Sequence, residues 1–179
     1  MEEIESCNGW SKNMKNLYRS AYAKLYAMRF QGILWIAAAV LGLDRLTKVW
    51  ILQHFQLGES RRITSFFYLT FIQNTGTAFG FFQGNNKALL LLAIIILGTL
   101  LYGARGLSER GGFWGAIGVA LVLGGAVGNV IDRVHYGQVI DFMDFRVWPV
   151  FNIADSAITI GTCAIAIGLF RRSANEDVV

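Results

Sequence analysis

Four long apolar stretches constrain this 179-residue chain more than any other feature of its sequence. They cover residues 30–53, 88–104, 111–131 and 147–170. A helix needs roughly 20 mostly apolar residues to cross the hydrocarbon core of a bilayer, and each stretch reaches or approaches that length. A soluble domain of this size has no core that could bury four such helices. The sequence therefore predicts an α-helical membrane protein built as a bundle of four transmembrane helices.

The distribution of basic residues predicts how these helices are oriented. Lys and Arg precede the first stretch, occupy the short connection between the second and third, and follow the fourth: Lys12, Lys15, Arg19, Lys24, Arg29, Arg105, Arg110, Arg171 and Arg172. Cytoplasmic segments of membrane proteins carry an excess of such residues. The opposite connections also carry some basic residues, so the bias is modest. We expect a multi-pass protein of the bacterial inner membrane with both termini in the cytoplasm.

The chain divides into a membrane domain at 30–171, an N-terminal extension at 1–29 and a cytoplasmic tail at 172–179. The extension has no cleavable signal peptide, because its apolar run starts late and no small-residue cleavage site follows it. Its tyrosines and leucine fall at helical spacing between basic residues, which fits a helix lying on the anionic inner leaflet; a disordered tail is the alternative. The net charge of +4 then has a membrane-surface explanation, and we expect no nucleic-acid partner.

The connection at about 55–86 has a composition that favours strands. Residues 63–72 are rich in aromatic and β-branched side chains, and the pattern breaks at Asn74, Thr75 and Gly76. This predicts a small β-rich cradle between the first and second helices, on the extracytoplasmic side. Its phenylalanines would either grip an extended substrate or anchor the cradle among lipid headgroups.

Five aspartates collect at the outer end of the predicted bundle: Asp44, Asp132, Asp141, Asp144 and Asp155. A carboxylate near the hydrocarbon boundary costs several kcal/mol unless it is paired or neutralised, so such residues indicate a functional site. Asp144, beside Arg146 in a loop, is expected to be an ordinary interfacial charge. Asp155 lies in an apolar stretch and must face the interior of the bundle.

The end of the third helix presents polar residues on one face. Asn129, Asp132 and Arg133 stand at positions i, i+3 and i+4, which share a face. Either a helix-terminal salt bridge or a direct chemical role fits Asp132 and Arg133, and the spacing does not distinguish the two. Earlier in this helix, Gly124 and Gly128 are four residues apart, which permits close approach of a neighbouring helix.

The pair Asp141 and Asp155 suggests a chemistry. Two carboxylates that a short connection brings into one partly dry site do not both ionise, so the pair holds one proton, as acid–base hydrolysis of a peptide bond requires. Asn152 shares the face of Asp155. A transporter or proton channel, with acids spread across the membrane, and an assembly factor without an acid pair are the alternatives. The few Cys and His residues form no zinc pattern, and neither a metal nor another cofactor is expected.

Five blocks of this sequence resemble, in order, the signatures of the lipoprotein signal peptidase family, also called signal peptidase II. The blocks are residues 44–48, 74–80, 124–133, 139–142 and 151–155, and the resemblance covers about 30–170. The chain departs from the family's pattern in its long N-terminal extension and in a short connection between Asp141 and Asp155.

The resemblance implies a metal-free aspartyl endopeptidase that cleaves prolipoproteins before a diacylglyceryl-modified cysteine, at the periplasmic face of the membrane. It implies that Asp141 and Asp155 are catalytic. It also implies supporting or substrate-binding roles for further polar residues: Asp44, Lys48, Asn74, Asn129, Asp132, Arg133 and Asn152. The partners would be lipid-modified prolipoproteins and membrane lipids, and we expect the enzyme to act as a monomer.

Overall fold

The computed structural model describes residues 30–76 and 84–176. These residues form four long helices: α1 at 30–54, α2 at Asn86–Arg110, α3 at Gly112–His135 and α4 at Ile153–Glu176. Three short strands accompany them: β1 at Ser60–Arg62, β2 at Tyr68–Asn74 and β3 at Val139–Asp144. The predicted extension at 1–29, the aromatic residues within 77–83 and the end of the tail lie outside the described residues.

The helices are those of a membrane protein. Within the described ranges, three are long and apolar enough to cross a bilayer: Asn86–Arg110, Gly112–His135 and Ile153–Ser173. The remaining helix, α1, is of similar length, but Asp44, Arg45 and Lys48 interrupt its apolar sequence. The predicted helical membrane class is therefore confirmed, whereas the number of spans stays a prediction.

Helix α3 lies at the centre of the bundle. In the most apolar 18-residue window of α3, 56% of the residues are buried. The corresponding window of α2 has 6% buried, so most of its residues are exposed. Small residues allow the close packing: a Cβ atom on Gly124 would lie 2.6 Å from the carbonyl oxygen of Ala37 on α1, and one on Gly125 would clash with the carbonyl oxygen of Ala154 on α4. The predicted close approach at Gly124 is confirmed.

The turn between α2 and α3 is very short. Gly111 caps α2 through a hydrogen bond from its backbone N–H to the carbonyl of Leu107 (2.9 Å). Gly112 then begins α3 with a φ of +58°. Only glycine adopts this conformation without a steric penalty, so these two residues let the helices run antiparallel with almost no loop.

The strands form one antiparallel sheet in the order β1-β2-β3. Strands β1 and β2 form a hairpin whose turn at 63–67 occupies the first part of the segment 63–72 that was expected to favour strands. The cradle was predicted to come from the connection between α1 and α2. This prediction is incomplete, because β3 comes from the connection between α3 and α4. An unpaired edge of β2 would leave backbone N–H and C=O groups without partners, and the extended segment after α3 supplies them.

The fourth apolar stretch starts at residue 147, but the fourth helix does not begin there. Helix α4 begins at Ile153, and the segment before it folds back on β3 through hydrogen bonds between Met143 and Phe151 (2.8 and 3.1 Å). Pro149 disfavours helical backbone in the residue before it. Asn152 then caps α4, since its side-chain oxygen accepts a hydrogen bond from the backbone N–H of Asp155 (2.8 Å).

An apolar cluster fixes the sheet against the end of α1. Its buried members are Ile51, Phe55, Phe71, Ile140 and Phe142. Because residues alternate between the two faces of a strand, Ile140 and Phe142 in this cluster direct the intervening Asp141 to the opposite face, toward the helices. Burial of this cluster therefore decides where Asp141 points.

Candidate active site

Asp141 and Asp155 are brought together by Asn152. Asp141 lies in the middle of β3, and Asp155 lies in the first turn of α4. The Asn152 side-chain amide donates to Asp141 Oδ1 (2.7 Å), and the Asn152 backbone N–H donates to Asp155 Oδ2 (3.3 Å). One residue thus contacts both carboxyl groups, and the predicted pair lies in one site.

Two further asparagines complete the hydrogen bonding of this pair. The Asn74 amide at the end of β2 donates to Asp141 Oδ2 (2.8 Å), and the Asn129 amide on α3 donates to Asp155 Oδ1 (2.7 Å). Every carboxylate oxygen of the pair consequently accepts one N–H. The donors come from a strand, a helix and a helix cap, so the arrangement exists only in the folded bundle.

The orientation of each asparagine amide is fixed by a donor on its oxygen. The oxygen of Asn74 accepts from the backbone N–H of Gly76 (2.9 Å), and that of Asn152 accepts from the N–H of Asp155 (2.8 Å). The oxygen of Asn129 accepts from the ammonium group of Lys48 (3.1 Å). Backbone N–H and ammonium groups only donate, so each amide must turn its NH₂ group toward a carboxylate.

Four charged side chains form a cluster behind the asparagines, called here the charge cluster: Asp44, Arg45, Lys48 and Asp132. Three of them are buried, and Arg45 is partly exposed. Lys48 contacts Asp44 (3.0 Å) and Asp132 (2.7 Å). Arg45 contacts the same two carboxylates, at 2.9 and 2.6 Å. Two acids therefore face two bases, and the cluster has no net charge. Removing one member of such a buried group leaves an uncompensated charge and typically costs 3–5 kcal/mol.

The charge cluster also holds the backbone beside both aspartates of the pair. Asp44 Oδ1 accepts from the N–H of Ala154 (3.1 Å), the residue before Asp155. Asp132 Oδ2 accepts from the N–H of Ile140 (3.2 Å), the residue before Asp141. Asp132 therefore makes ion pairs with cations of α1. A pairing between Asp132 and Arg133, one of the two alternatives that the spacing left open, is not what holds it.

Arg133 lies half-buried beside the pair and contacts the turn after β2. Its guanidinium group donates to the carbonyl of Gly76 (3.4 Å), and its own carbonyl accepts from the Asn86 amide at the start of α2 (3.1 Å). All the predicted site residues consequently lie in one connected region. Their individual roles stay predictions.

The expectation that Asp144 is an ordinary interfacial charge is wrong. Its side chain is buried and accepts hydrogen bonds from the Thr70 hydroxyl (2.7 Å) and the Arg146 backbone N–H (2.8 Å). The first bond ties β3 to β2. The second holds Arg146 at a φ of +65°, a conformation that a non-glycine residue rarely adopts. Asp144 thus stabilises the sheet and its following turn.

The surroundings of Asp141 change its acidity. Burial, and next the negative charge of Asp155, raise the pKa of Asp141 from 3.8 to about 7. The hydrogen bonds from Asn74 and Asn152 and the positive charge of Lys48 oppose this rise. A carboxyl group with such a pKa exchanges its proton near neutral pH, which suits acid–base chemistry.

Comparison with known proteins identifies the family. The family model described as signal peptidase (SPase) II matches residues 36–171. This chain belongs to the signal peptidase II family. A lipoprotein signal peptidase of Burkholderia thailandensis is 44% identical over 147 residues, covering 78% of this chain and 87% of that protein. The corresponding protein of Trichormus variabilis is 40% identical and covers 82% of this chain and 95% of its own length.

Solved structures agree with this family assignment. A structure of a bacterial membrane enzyme, obtained by the in meso method, superimposes with a TM-score of 0.74 at 33% identity and covers 81% of this chain and 91% of that one. A second, of the same description, has a TM-score of 0.69 at 34% identity. The resemblance inferred from the five sequence blocks is confirmed. As a member of the signal peptidase II family, the chain is a membrane-embedded protease.

One residue of the charge cluster was missed from the sequence. Arg45 stands within a block that was recognised, yet it was not predicted as a site residue. Charge balance could have found it, because Asp44 and Asp132 need two cations and Lys48 supplies one. No group of three or more His, Cys, Asp or Glu side chains is placed to hold a metal ion in the part of the chain that the structure describes.

Proposed function

We propose that this chain is an aspartyl endopeptidase that removes signal peptides from prolipoproteins, cleaving before the diacylglyceryl-modified cysteine. Asp141 and Asp155 are its catalytic residues. The observation that carries this proposal is that Asn152 donates a hydrogen bond to each of the two carboxyl groups. Asn74 and Asn129 donate to their remaining oxygens. Family membership supports the protease activity, and the relatives named lipoprotein signal peptidase support the substrate class.

The reaction needs one proton on the pair. The ionised aspartate takes a proton from a water molecule, and that water attacks the scissile carbonyl while the protonated aspartate donates to the carbonyl oxygen. The tetrahedral intermediate then collapses as a proton passes to the nitrogen of the new cysteine N-terminus, and the C–N bond breaks. The pair returns to a single shared proton, because water supplies both the hydroxyl group and the proton that the products gain.

The substrate's lipid places the scissile bond at the membrane surface. The acyl chains on the cysteine remain in the outer leaflet, and binding them there positions the peptide bond beside the outer ends of the helices. In this proposal the domain at 30–171 crosses the inner membrane four times, the segments 1–29 and 172–179 are cytoplasmic, and the site faces the periplasm. Lipid and prolipoprotein are its partners, and the enzyme acts as a monomer.

The sheet offers a surface for the extended part of the substrate. Aromatic rings from the hairpin turn and from the segment before α4 stack on each other: Phe66 on Phe145 (centroids 6.3 Å apart) and Phe145 on Phe151 (5.9 Å). The stack joins the β1–β2 turn to the segment between β3 and α4. We assign it the gripping role for the substrate near the cleavage site.

A gel-shift assay tests the proposal. Purified protein in detergent is incubated with a lipidated prolipoprotein, and wild type is compared with Asp141→Asn and Asp155→Asn, with and without a chelator. Each variant is expected to lose at least about 10²-fold in rate, because each removes one partner of the acid–base step. Chelator should not change the wild-type rate, and unlipidated precursor should be cut poorly.

Asp144→Asn is the matched control, because it neutralises the other buried carboxylate of β3, whose hydrogen bonds go to Thr70 and Arg146 and not to the pair. It should retain far more activity than either variant of the pair. Cleavage at the wild-type rate by Asp141→Asn or Asp155→Asn would contradict the proposed chemistry. Efficient cleavage of unlipidated precursor would contradict the proposed substrate.

A further inference from the structure

Lys48 joins the charge cluster to the catalytic pair. Its ammonium group is buried, and it has three contacts for its three N–H bonds: Asp44 Oδ2 (3.0 Å), Asp132 Oδ2 (2.7 Å) and Asn129 Oδ1 (3.1 Å). The first two are ion pairs that Arg45 also makes. The third goes to a neutral amide, and that amide in turn donates to Asp155 Oδ1 at 2.7 Å.

We propose that Lys48 is a positioning residue that fixes the amide of Asn129 and thereby sets the pH range in which the Asp141–Asp155 pair holds a single proton. This inference rests on the proposed function. It gives Lys48 a role in addition to balancing the charges of Asp44 and Asp132.

The first part of the inference is the orientation of Asn129. Its oxygen accepts from Lys48 and also from the Asn152 amide (3.2 Å). A reversed amide would place its NH₂ group against these two donors and its oxygen against the Asp155 carboxylate, so three contacts would become repulsive. Lys48 is the charged member of the two donors, and its contact is therefore the stronger.

The second part is electrostatic. A positive charge two hydrogen bonds from Asp155 favours the ionised form of the pair. Among the residues that the structure describes, the other charged groups near the pair are Asp44 and Arg45 on α1 and Asp132 and Arg133 on α3. Arg45 compensates Asp44 and Asp132 in part, so removal of Lys48 leaves those two acids with less positive charge against them. The pair then loses its protons at higher pH.

The test is the pH profile of cleavage for a set of variants. Lys48→Met removes the charge and the donor, but it leaves excess negative charge in the cluster and risks unfolding. We therefore also compare Lys48→Met/Asp44→Asn with Asp44→Asn alone. The asparagine at 44 can still accept from the N–H of Ala154, and in the double variant the cluster again has equal numbers of acids and bases.

The cleavage rate falls to half its maximum at one pH on the acid side of the profile and at another on the alkaline side. Loss of Lys48 is expected to move both of these half-maximal pH values upward by roughly one unit, compared with the parent protein that retains Lys48. Lys87→Met, which removes an exposed positive charge at the start of α2, is the control and should not move them. A third variant, Asn129→Leu, keeps all four charges of the cluster and should move the profile in the same direction, because Asp155 loses the amide through which Lys48 acts.

A purely structural role for Lys48 predicts a different result. The variants would then lose rate, or lose folded protein, with the half-maximal pH values within about 0.2 unit of their parents, and that outcome overturns the inference. The proposed function has its own test, because its chemistry is contradicted if Asp141→Asn or Asp155→Asn retains the wild-type rate. The two failures are therefore distinguishable with the same substrate and assay.

Discussion

At the scale of single residues, the site works by assigning one fixed donor to each oxygen of two carboxylates. Asn74, Asn129 and Asn152 supply the side-chain amides, and each amide has its oxygen bound by a group that can only donate. These contacts favour the ionised forms, whereas burial and mutual repulsion favour a retained proton. The pKa of Asp141, raised to about 7, allows this carboxyl group to hold a proton near neutral pH, as the proposed reaction needs.

The pH dependence of cleavage follows from this balance. The pKa of Asp141 is raised to about 7, so the group is protonated below that pH and ionised above it. Because the reaction needs one protonated carboxyl group, activity should fall as pH rises through about 7, approaching tenfold per unit. Initial rates on lipidated prolipoprotein between pH 5 and 9 measure this. A rate that still increases from pH 8 to pH 9 would contradict it.

At the scale of elements, the small residues of α3 bring the charged groups into contact. Gly124 packs against α1 and Gly125 against α4, so that three helices meet with their backbones close together. This proximity lets short side chains reach between helices, as when Asp44 on α1 accepts from the N–H of Ala154 on α4 (3.1 Å). Close packing of α3 is thus a condition for the geometry of the pair.

Gly128→Ala tests this condition. A Cβ atom at this position would lie 2.6 Å from Asp44 Oδ2, which cannot move without losing its contacts with Arg45 and Lys48. We expect the free energy of unfolding to fall by about 1–3 kcal/mol, together with a loss of activity, because Asp44 holds the backbone beside Asp155. Thermal unfolding in detergent and the gel-shift rate measure the two effects.

Gly42→Ala is the matched control for this variant. Gly42 lies two residues before Asp44 on α1, and a Cβ atom there has nothing within 4 Å. The substitution should leave activity unchanged and raise stability by up to about 1 kcal/mol, since alanine favours helix more than glycine does. Equal effects of the two substitutions on stability and activity would show that close packing at Gly128 is not required for either.

At the scale of the whole molecule, one end of the bundle carries the sheet and the site. The sheet draws its strands from two separate connections, and the apolar cluster around Ile51 and Ile140 fixes it to the end of α1. The pair therefore lies where α1, α3, α4 and β3 meet. A protein of this shape exposes its site at one membrane surface only, provided that α1 crosses the bilayer as well as the three apolar helices.

The crossing by α1 can be tested with single cysteines. In a background without Cys7 and Cys163, Gln31→Cys stands near the start of α1 and Leu57→Cys just beyond its end, and both positions are exposed. A membrane-impermeant maleimide applied to intact spheroplasts should label position 57, and position 31 only after permeabilisation. Labelling of both positions from the same side would contradict four spans, whatever the activity of the variants.

The sequence indicated the helices and the chemistry better than it indicated the sheet. Long apolar stretches have no other stable solution at this chain length, and the aspartates within or beside them had to be functional or paired. The start of α4 and the third strand were not predicted. The start of α4 depends on Pro149 and the Asn152 cap, and the third strand pairs with the free edge of β2. The periodicity of apolar residues along the sequence does not show such contacts. Asp144 was misjudged for the same reason, since its partner Thr70 is distant in sequence.

By itself, the sequence determined that this chain is a helical membrane protein of the signal peptidase II type, with five aspartates gathered at one end of the bundle. Hydrophobic length and residue order carry that information directly. Only the tertiary structure decided which groups touch: that Asn152 holds both members of the pair, that Asp132 binds α1 rather than its neighbour Arg133, and that Lys48 contacts Asn129. Such contacts depend on distances of a few ångströms between elements that the packing of glycines and apolar side chains sets.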